Sequence, residues 1–325
     1  MTEPSYAEFD FTSVDLARLR FAFSPVSEAV AALRVLQEPG RQALHLPWIR
    51  AVRPRLAGPD LRLLFALVPP GPYFADFLTP APTSPLPDID AELAAVGAAD
   101  LGEAVAEASR LPGADGPVLR AFLADPAAGV SRAAAELRLF WDTALARFWP
   151  QIRGLFEAEV LRRTRQLARD GAGAMFNDLH PNIAWDHGRL RVRTRVWRRS
   201  GPLSGDGMIL VPSVFHWPDT AVMAEPYQPM LAYPVPGVGT LWSQGTVPTP
   251  GALDALIGRT RARVLVSLGD AATTTSLARR LSMAPGAVSQ HLTVLREGGL
   301  VTRRRSGREV FYERSRLGDT LCATP

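Results

Sequence analysis

The chain contains no lysine, so all 36 of its basic residues are arginine. It has one cysteine, Cys322, which excludes an internal disulfide and a cysteine-cluster metal site. No run of about 18 apolar residues occurs, which excludes a recognisable membrane-spanning helix. The segment from Met1 to Asp10 holds no basic region followed by an apolar core, so no secretory signal is read there. These shortages make the cytoplasm the expected compartment and leave no membrane partner. Histidine is also scarce. None of the five (His45, His180, His187, His216, His291) stands in a His-Glu-x-x-His spacing. His180 and His187 flank an expected strand and turn and read as structural. No Gly-x-Ser-x-Gly element or phosphate loop is present. The run Gly171-Ala172-Gly173-Ala174-Met175-Phe176 lacks the third glycine of a dinucleotide fingerprint and follows a helical pattern, which is the wrong context. The expectation is a protein without catalytic activity, cofactor or metal.

What is present divides unevenly along the chain. Its 325 residues suffice for two domains, and a hydrophobic content of 47% is ordinary for a globular protein. The net charge of +4 conceals an asymmetry. From Gly251 to Pro325 there are 12 arginines against 6 acidic residues, a balance of +6, which leaves the rest of the chain at −2. A small basic segment behind a near-neutral one suits neutralisation of phosphates.

The N-terminal part reads as mixed helix and strand. Leu16–Phe23 alternates like a strand, and Pro25–Leu36 has helical spacing that stops at Pro39-Gly40. Leu61–Val68 is a short apolar run, Thr79–Pro87 a proline-rich loop, and Asp88–Arg110 helical. From Pro126 to Asp170, Leu137, Trp141, Leu145, Phe148, Ile152 and Leu155 recur every three or four residues, interrupted by Pro150. Two helices or one kinked helix are expected, with the aromatic stripe serving as core or dimer contact. From Asn182 to Tyr233 strands take over. Asp186-His187-Gly188 forms the turn between Asn182–Trp185 and Arg189–Trp197, and Met208–Phe215 and Pro229–Tyr233 are further strands. Trp185, Trp197, Trp217, Tyr227 and Trp242 are either ordinary core or the lining of an apolar pocket. Pro234–Pro250 is rich in Pro, Gly, Ser and Thr and reads as a linker. The expected domains are therefore 1–245 and 251–320.

The last fifth is the most specific. Arg259–Leu268 is helical. Thr273-Thr274-Thr275 supplies an N-cap for a helix Ser276–Leu281, and Ser282-Met283-Ala284 is a turn. Pro285 opens a second helix, where its missing N–H costs nothing. Val288, Leu292 and Leu295 form its inner face, while Ser289, Gln290 and Thr293 lie outside behind small residues Gly286 and Ala287. Glutamine can pair with adenine, and Ser or Thr with several base edges. Gly298-Gly299 permits the left-handed residue that ends the helix. Strands Leu300–Arg304 and Glu309–Arg314 then flank a turn Arg305-Ser306-Gly307-Arg308, placing Arg303, Arg304, Arg305 and Arg308 around a hairpin suited to phosphate or minor-groove contact. Phe311 and Tyr312 face opposite ways, so one of them should pack inward. This is the layout of a winged helix-turn-helix.

The segments Ser276-Leu277-Ala278-Arg279-Arg280-Leu281 and Ala287-Val288-Ser289-Gln290-His291-Leu292-Thr293-Val294-Leu295-Arg296-Glu297-Gly298-Gly299-Leu300-Val301, with the Arg-Ser-Gly-Arg wing tip, resemble the DNA-binding core of ArsR-type transcriptional regulators. The resemblance covers about residues 251–320. It implies a homodimeric repressor that binds an operator in double-stranded DNA and leaves it on meeting an inducer. The first motif helix lacks the cysteine pair of the metal-sensing members, which argues against metal sensing. The N-terminal part resembles, more loosely, a large domain of unknown function found ahead of such winged helices.

The expected fold class is thus α+β: a large mixed helix/strand N-terminal domain followed by a C-terminal winged helix-turn-helix domain. The expected DNA contacts are Thr274 and Ser276 on the first motif helix, Gly286, Ala287, Ser289, Gln290, His291, Thr293 and Arg296 on the second, and the four wing arginines. The N-terminal domain is expected to dimerise and is the candidate for an unknown small-molecule effector. The alternative is a ligand-binding or catalytic N-terminal domain, with the winged helix as a non-specific DNA or protein contact module. An apolar outer face would favour protein contact, and here that face is Ser, Gln, Thr and Arg, which disfavours it.

Overall fold

The computed structural model describes residues 5–38, 43–71, 73–194, 199–242, 251–269, 272–306 and 309–323. The chain is mixed helix and strand and divides into two compact units, Met1–Trp242 and Ser243–Pro325. Among the described residues no helix is long and apolar enough to cross a membrane.

The N-terminal unit packs a helical layer beside two small sheets. Its central helix, Pro25–Gln37, starts where the Ser24 hydroxyl accepts from the Ser27 N–H, and it is buried on nearly every side. Around it lie the helices Ile89–Gly97, Leu101–Ser109, Pro117–Ala124 and Pro126–Ala144. The stretch read as one helical region from Asp88 to Arg110 is therefore two helices, each started by its own aspartate cap, Asp88 and Asp100. The Pro126–Asp170 pattern is also two helices, and Pro150 lies in the first turn of the second, where proline is tolerated. Leu137, Trp141, Leu145 and Ile152 are buried in the helical core, with Phe148 and Leu155 half-buried against it. The second helix, Trp149–Asn177, breaks at Gly171, whose φ of 81° is open to glycine. Gly173 lies so close to the Trp185 ring that a Cβ would meet it at 2.8 Å. The two glycines thus serve a kink and a close contact.

One sheet has the order Ile183–Asp186, Arg189–Thr194, Ser5–Asp10, Arg199–Pro202. Its hairpin turns through His187 (φ 46°) and Gly188 (φ 82°), the two positive values that a two-residue I′ turn requires. The second sheet has the order Arg20–Phe21, Ile209–Ser213, Met230–Pro234, Ala221–Met223. Its two central strands are parallel and buried on both faces, which explains their continuous apolar sequences. The alternating stretch Leu16–Phe23 is not one strand. Residues Ser13–Ala17 form a helix closed by a reciprocal capping box between Thr12 and Asp15, and only Arg20–Phe21 pairs in the sheet.

Four buried glutamates tie helices to backbone elsewhere in this unit. Glu28 accepts from the Val214 N–H at 3.1 Å, Glu92 from Val26 at 2.8 Å, Glu107 from Phe77 at 2.8 Å and Glu136 from Leu64 at 2.8 Å. Three of these donors, on Val26, Leu64 and Phe77, lie at the start of a helix or 3₁₀ turn, where N–H groups lack partners of their own. Burial pushes the carboxyls of Glu28 and Glu92 up to about 8.

The tryptophans and the tyrosine considered as pocket lining are dispersed. Trp185 stacks on Phe176 at 5.0 Å, Trp242 packs with Trp48 and Phe215, the Tyr227 hydroxyl donates to Glu107, and Trp217 is exposed. Trp197 lies outside the described residues. His180 accepts from the Asn182 N–H at 3.1 Å, a local structural role.

Candidate nucleic-acid interface

The C-terminal unit builds its surface from local signals. Helices Gly251–Ile257 and Arg259–Val266 precede a short strand, Ala272–Thr273. Of the threonine cluster, Thr273 is the cap: its hydroxyl accepts from the Ser276 N–H at 3.2 Å and starts the helix Thr274–Leu281. Leu277 and Ala278 are buried beneath it. Arg280 donates to the Ser267 carbonyl at 2.6 Å, which ties this helix to the end of the preceding one.

The turn between the motif helices is tight because Ser282 adopts the left-handed conformation, φ 55°. The Met283 N–H then returns to the Ala278 carbonyl at 2.9 Å, satisfying an acceptor at the helix end. Pro285 opens the second helix, Pro285–Glu297, after an Ala284 cap that offers no side-chain acceptor. Such a start leaves its backbone donors to solvent or to an anion such as phosphate. Val288, Leu292 and Leu295 are buried and fix the rotation of the helix. The helix ends at Gly299, φ 71°, and the Leu300 N–H bonds the Leu295 carbonyl at 2.9 Å.

That rotation brings together much of the expected set. Gly286, Ser289, Gln290 and Thr293 are exposed on one side of the helix, and Ala287, His291 and Arg296 are half-buried at its margins. The Thr293 hydroxyl donates to the Ser289 carbonyl at 3.0 Å, which leaves its oxygen to accept from an outside donor. Thr274 and Ser276 are half-buried at the start of the first motif helix. Six exposed residues on these helices were absent from the expected set: Thr275, Arg279, Arg280, Pro285, Glu297, and Val294, which is 43% exposed. Val294 lies four residues after the outward Gln290 and off the Val288, Leu292 and Leu295 face, so helical spacing was the signal that could have found it.

The wing strands are Val301–Ser306 and Glu309–Arg314, antiparallel, with the second also pairing Ala272–Thr273. Arg305 pairs with Val310 and Ser306 with Glu309, so the turn is narrower than expected, and Arg305 belongs to a strand because the ladder continues past it. Arg303 is exposed opposite Tyr312. Arg304 and Arg305 lie on the first wing strand, paired with Phe311 and Val310, and Arg308 lies outside the described residues. Of the aromatic pair, Tyr312 is the one that packs against the core of this unit. The helix Arg316–Ala323 closes the unit, and a Cβ on its Gly318 would stand 2.2 Å from the Leu300 carbonyl oxygen.

Two family models match the chain. Residues 105–239 match a family of unknown function (DUF5937), and residues 256–304 match a helix-turn-helix domain. No curated protein matches. The second match spans both motif helices and most of the first wing strand. The helix-turn-helix fold of the C-terminal unit and its model match together support a DNA-binding regulator.

Proposed function

We propose that the protein is a cytoplasmic transcription regulator that binds double-stranded DNA as a homodimer and represses from a pseudo-palindromic operator. The helix Pro285–Glu297 enters the major groove, and the wing arginines Arg303, Arg304, Arg305 and Arg308 hold phosphates. The observation that carries this reading is the outward face of that helix, where Gly286, Ser289, Gln290 and Thr293 are exposed together. An α-helix about 10–12 Å across fills a major groove about 12 Å wide. Small residues at its N-terminal end permit close approach, and Gln290 carries the donor–acceptor pair that matches an adenine edge. The excess of positive charge in this part of the chain supplies sequence-independent affinity.

Repression and dimerisation rest on the resemblance to ArsR-type regulators. In this reading the N-terminal unit dimerises and receives a small-molecule effector, with no catalytic step assigned to it. The test is selection of bound fragments from randomised duplex DNA by the full chain at physiological salt. An inverted repeat with half-sites about one helical turn apart is expected. Recovery of no motif, with binding that simply fades as salt rises, would refute the reading and leave the winged helix a non-specific contact module.

A further inference from the structure

We propose that Val294 reads the 5-methyl group of an operator thymine, one to two base pairs from an adenine read by Gln290. The inference rests on the DNA-binding reading above and deepens it.

Gly286, Gln290 and Val294 are spaced four residues apart, so they form one ridge along the exposed side of the helix Pro285–Glu297. The neighbouring exposed positions, Ser289 and Thr293, are polar. Val294 is 43% exposed and is not among the side chains packed on the core of its unit. Valine is also a poor choice for an exposed helical position on propensity alone. Its compensating property is stiffness: χ1 of valine in a helix has one strongly preferred rotamer, so the two methyl groups hold a fixed direction. In the major groove the apolar feature available to such a group is the thymine methyl, and valine offers cytosine no acceptor for its amino group.

Spacing sets the register. Four helical residues advance about 6 Å, against about 3.4 Å per base along a strand, which separates the bases met by Gln290 and Val294 by one to two steps. Gln290 and Val294 together therefore specify an adenine and a nearby thymine in each half-site, a feature that an operator read by Gln290 alone would not contain.

The experiment uses the full chain and the duplex recovered by selection. Each thymine is replaced singly by deoxyuridine, which removes the methyl group and leaves every pairing edge intact. One position per half-site should weaken binding about three- to fivefold, the effect of losing one buried methyl. V294A should weaken binding to the thymine duplex by a similar factor and show no further loss on the deoxyuridine duplex. V294T, which keeps the shape but exchanges one methyl for a hydroxyl, should fall between. Alanine at an exposed helical site does not threaten folding, and an unchanged circular dichroism spectrum verifies this. Equal losses by V294A on both duplexes would overturn the assignment while leaving sequence-specific binding in place. Recovery of no motif at all would overturn the DNA-reading function, and the assignment with it.

Discussion

Raising the pH from 6.5 to 8 should destabilise the N-terminal unit through Glu28 and Glu92. Both carboxyls are buried, and burial raises each from 4.5 to about 8. A carboxyl raised on folding binds its proton more tightly in the folded state. Its stabilisation is complete below 4.5 and is lost progressively as the pH climbs to 8. The loss is roughly 1.4 kcal/mol per pH unit for each group, hence about 3–4 kcal/mol for the pair across this interval. For a domain of this size that lowers the unfolding midpoint by about 10 °C. His45 and His216 act in the opposite sense. Burial lowers them to about 4 and about 3, so their stabilisation is present above 6.5 and is lost as the pH falls below it. The interval above 6.5 therefore excludes the histidines, while burial also raises Asp76 to about 7 and raises Glu107, so both add to the carboxyl signal there. All seven tryptophans precede residue 243, so tryptophan fluorescence during thermal unfolding reports this unit alone. The variant E28Q/E92Q keeps an oxygen acceptor for the Val214 and Val26 N–H groups while removing the titration of the two carboxyls, and it should reduce the slope, leaving the part due to Asp76 and Glu107. A flat profile for the parent protein, or a parental slope in the double variant, would refute the reasoning.

Other outcomes follow from the C-terminal unit. Gln290→Ala should weaken binding to the selected operator by about 1–3 kcal/mol, the scale of a bidentate base contact; an equal loss on random duplex in the same titration would remove its base-reading role. Arg303→Ala should weaken all sequences alike and reduce the slope of log affinity against log salt by about one, and an unchanged slope would take this arginine out of the phosphate footprint. Gly318→Ala should destabilise the winged unit by about 1–3 kcal/mol, because the new Cβ would stand 2.2 Å from the Leu300 carbonyl oxygen. Calorimetry of the full chain should register that loss while the tryptophan transition stays in place. A calorimetric profile matching the parent would mean that the helix shifts without cost.

The winged helix was legible in the sequence because its determinants are local. A threonine cap, a proline in the first helical turn, a glycine with positive φ and three apolar residues on one helical face act within a few residues of one another. The same holds for the His187-Gly188 hairpin and for the capped, strongly periodic helices. What depended on partners far along the chain was not legible. Residues Leu16–Phe23 alternate like a strand, yet Asp15 caps a short helix and also accepts from the Gly207 N–H, a partner 192 residues away. Glu28, Glu92, Glu107 and Glu136 look like solvated helical positions until folding sets each beside a backbone donor. Periodicity and capping are short-range and survive in a single sequence. Sheet order and buried acceptors arise from distant contacts, and those exist only once the chain has packed.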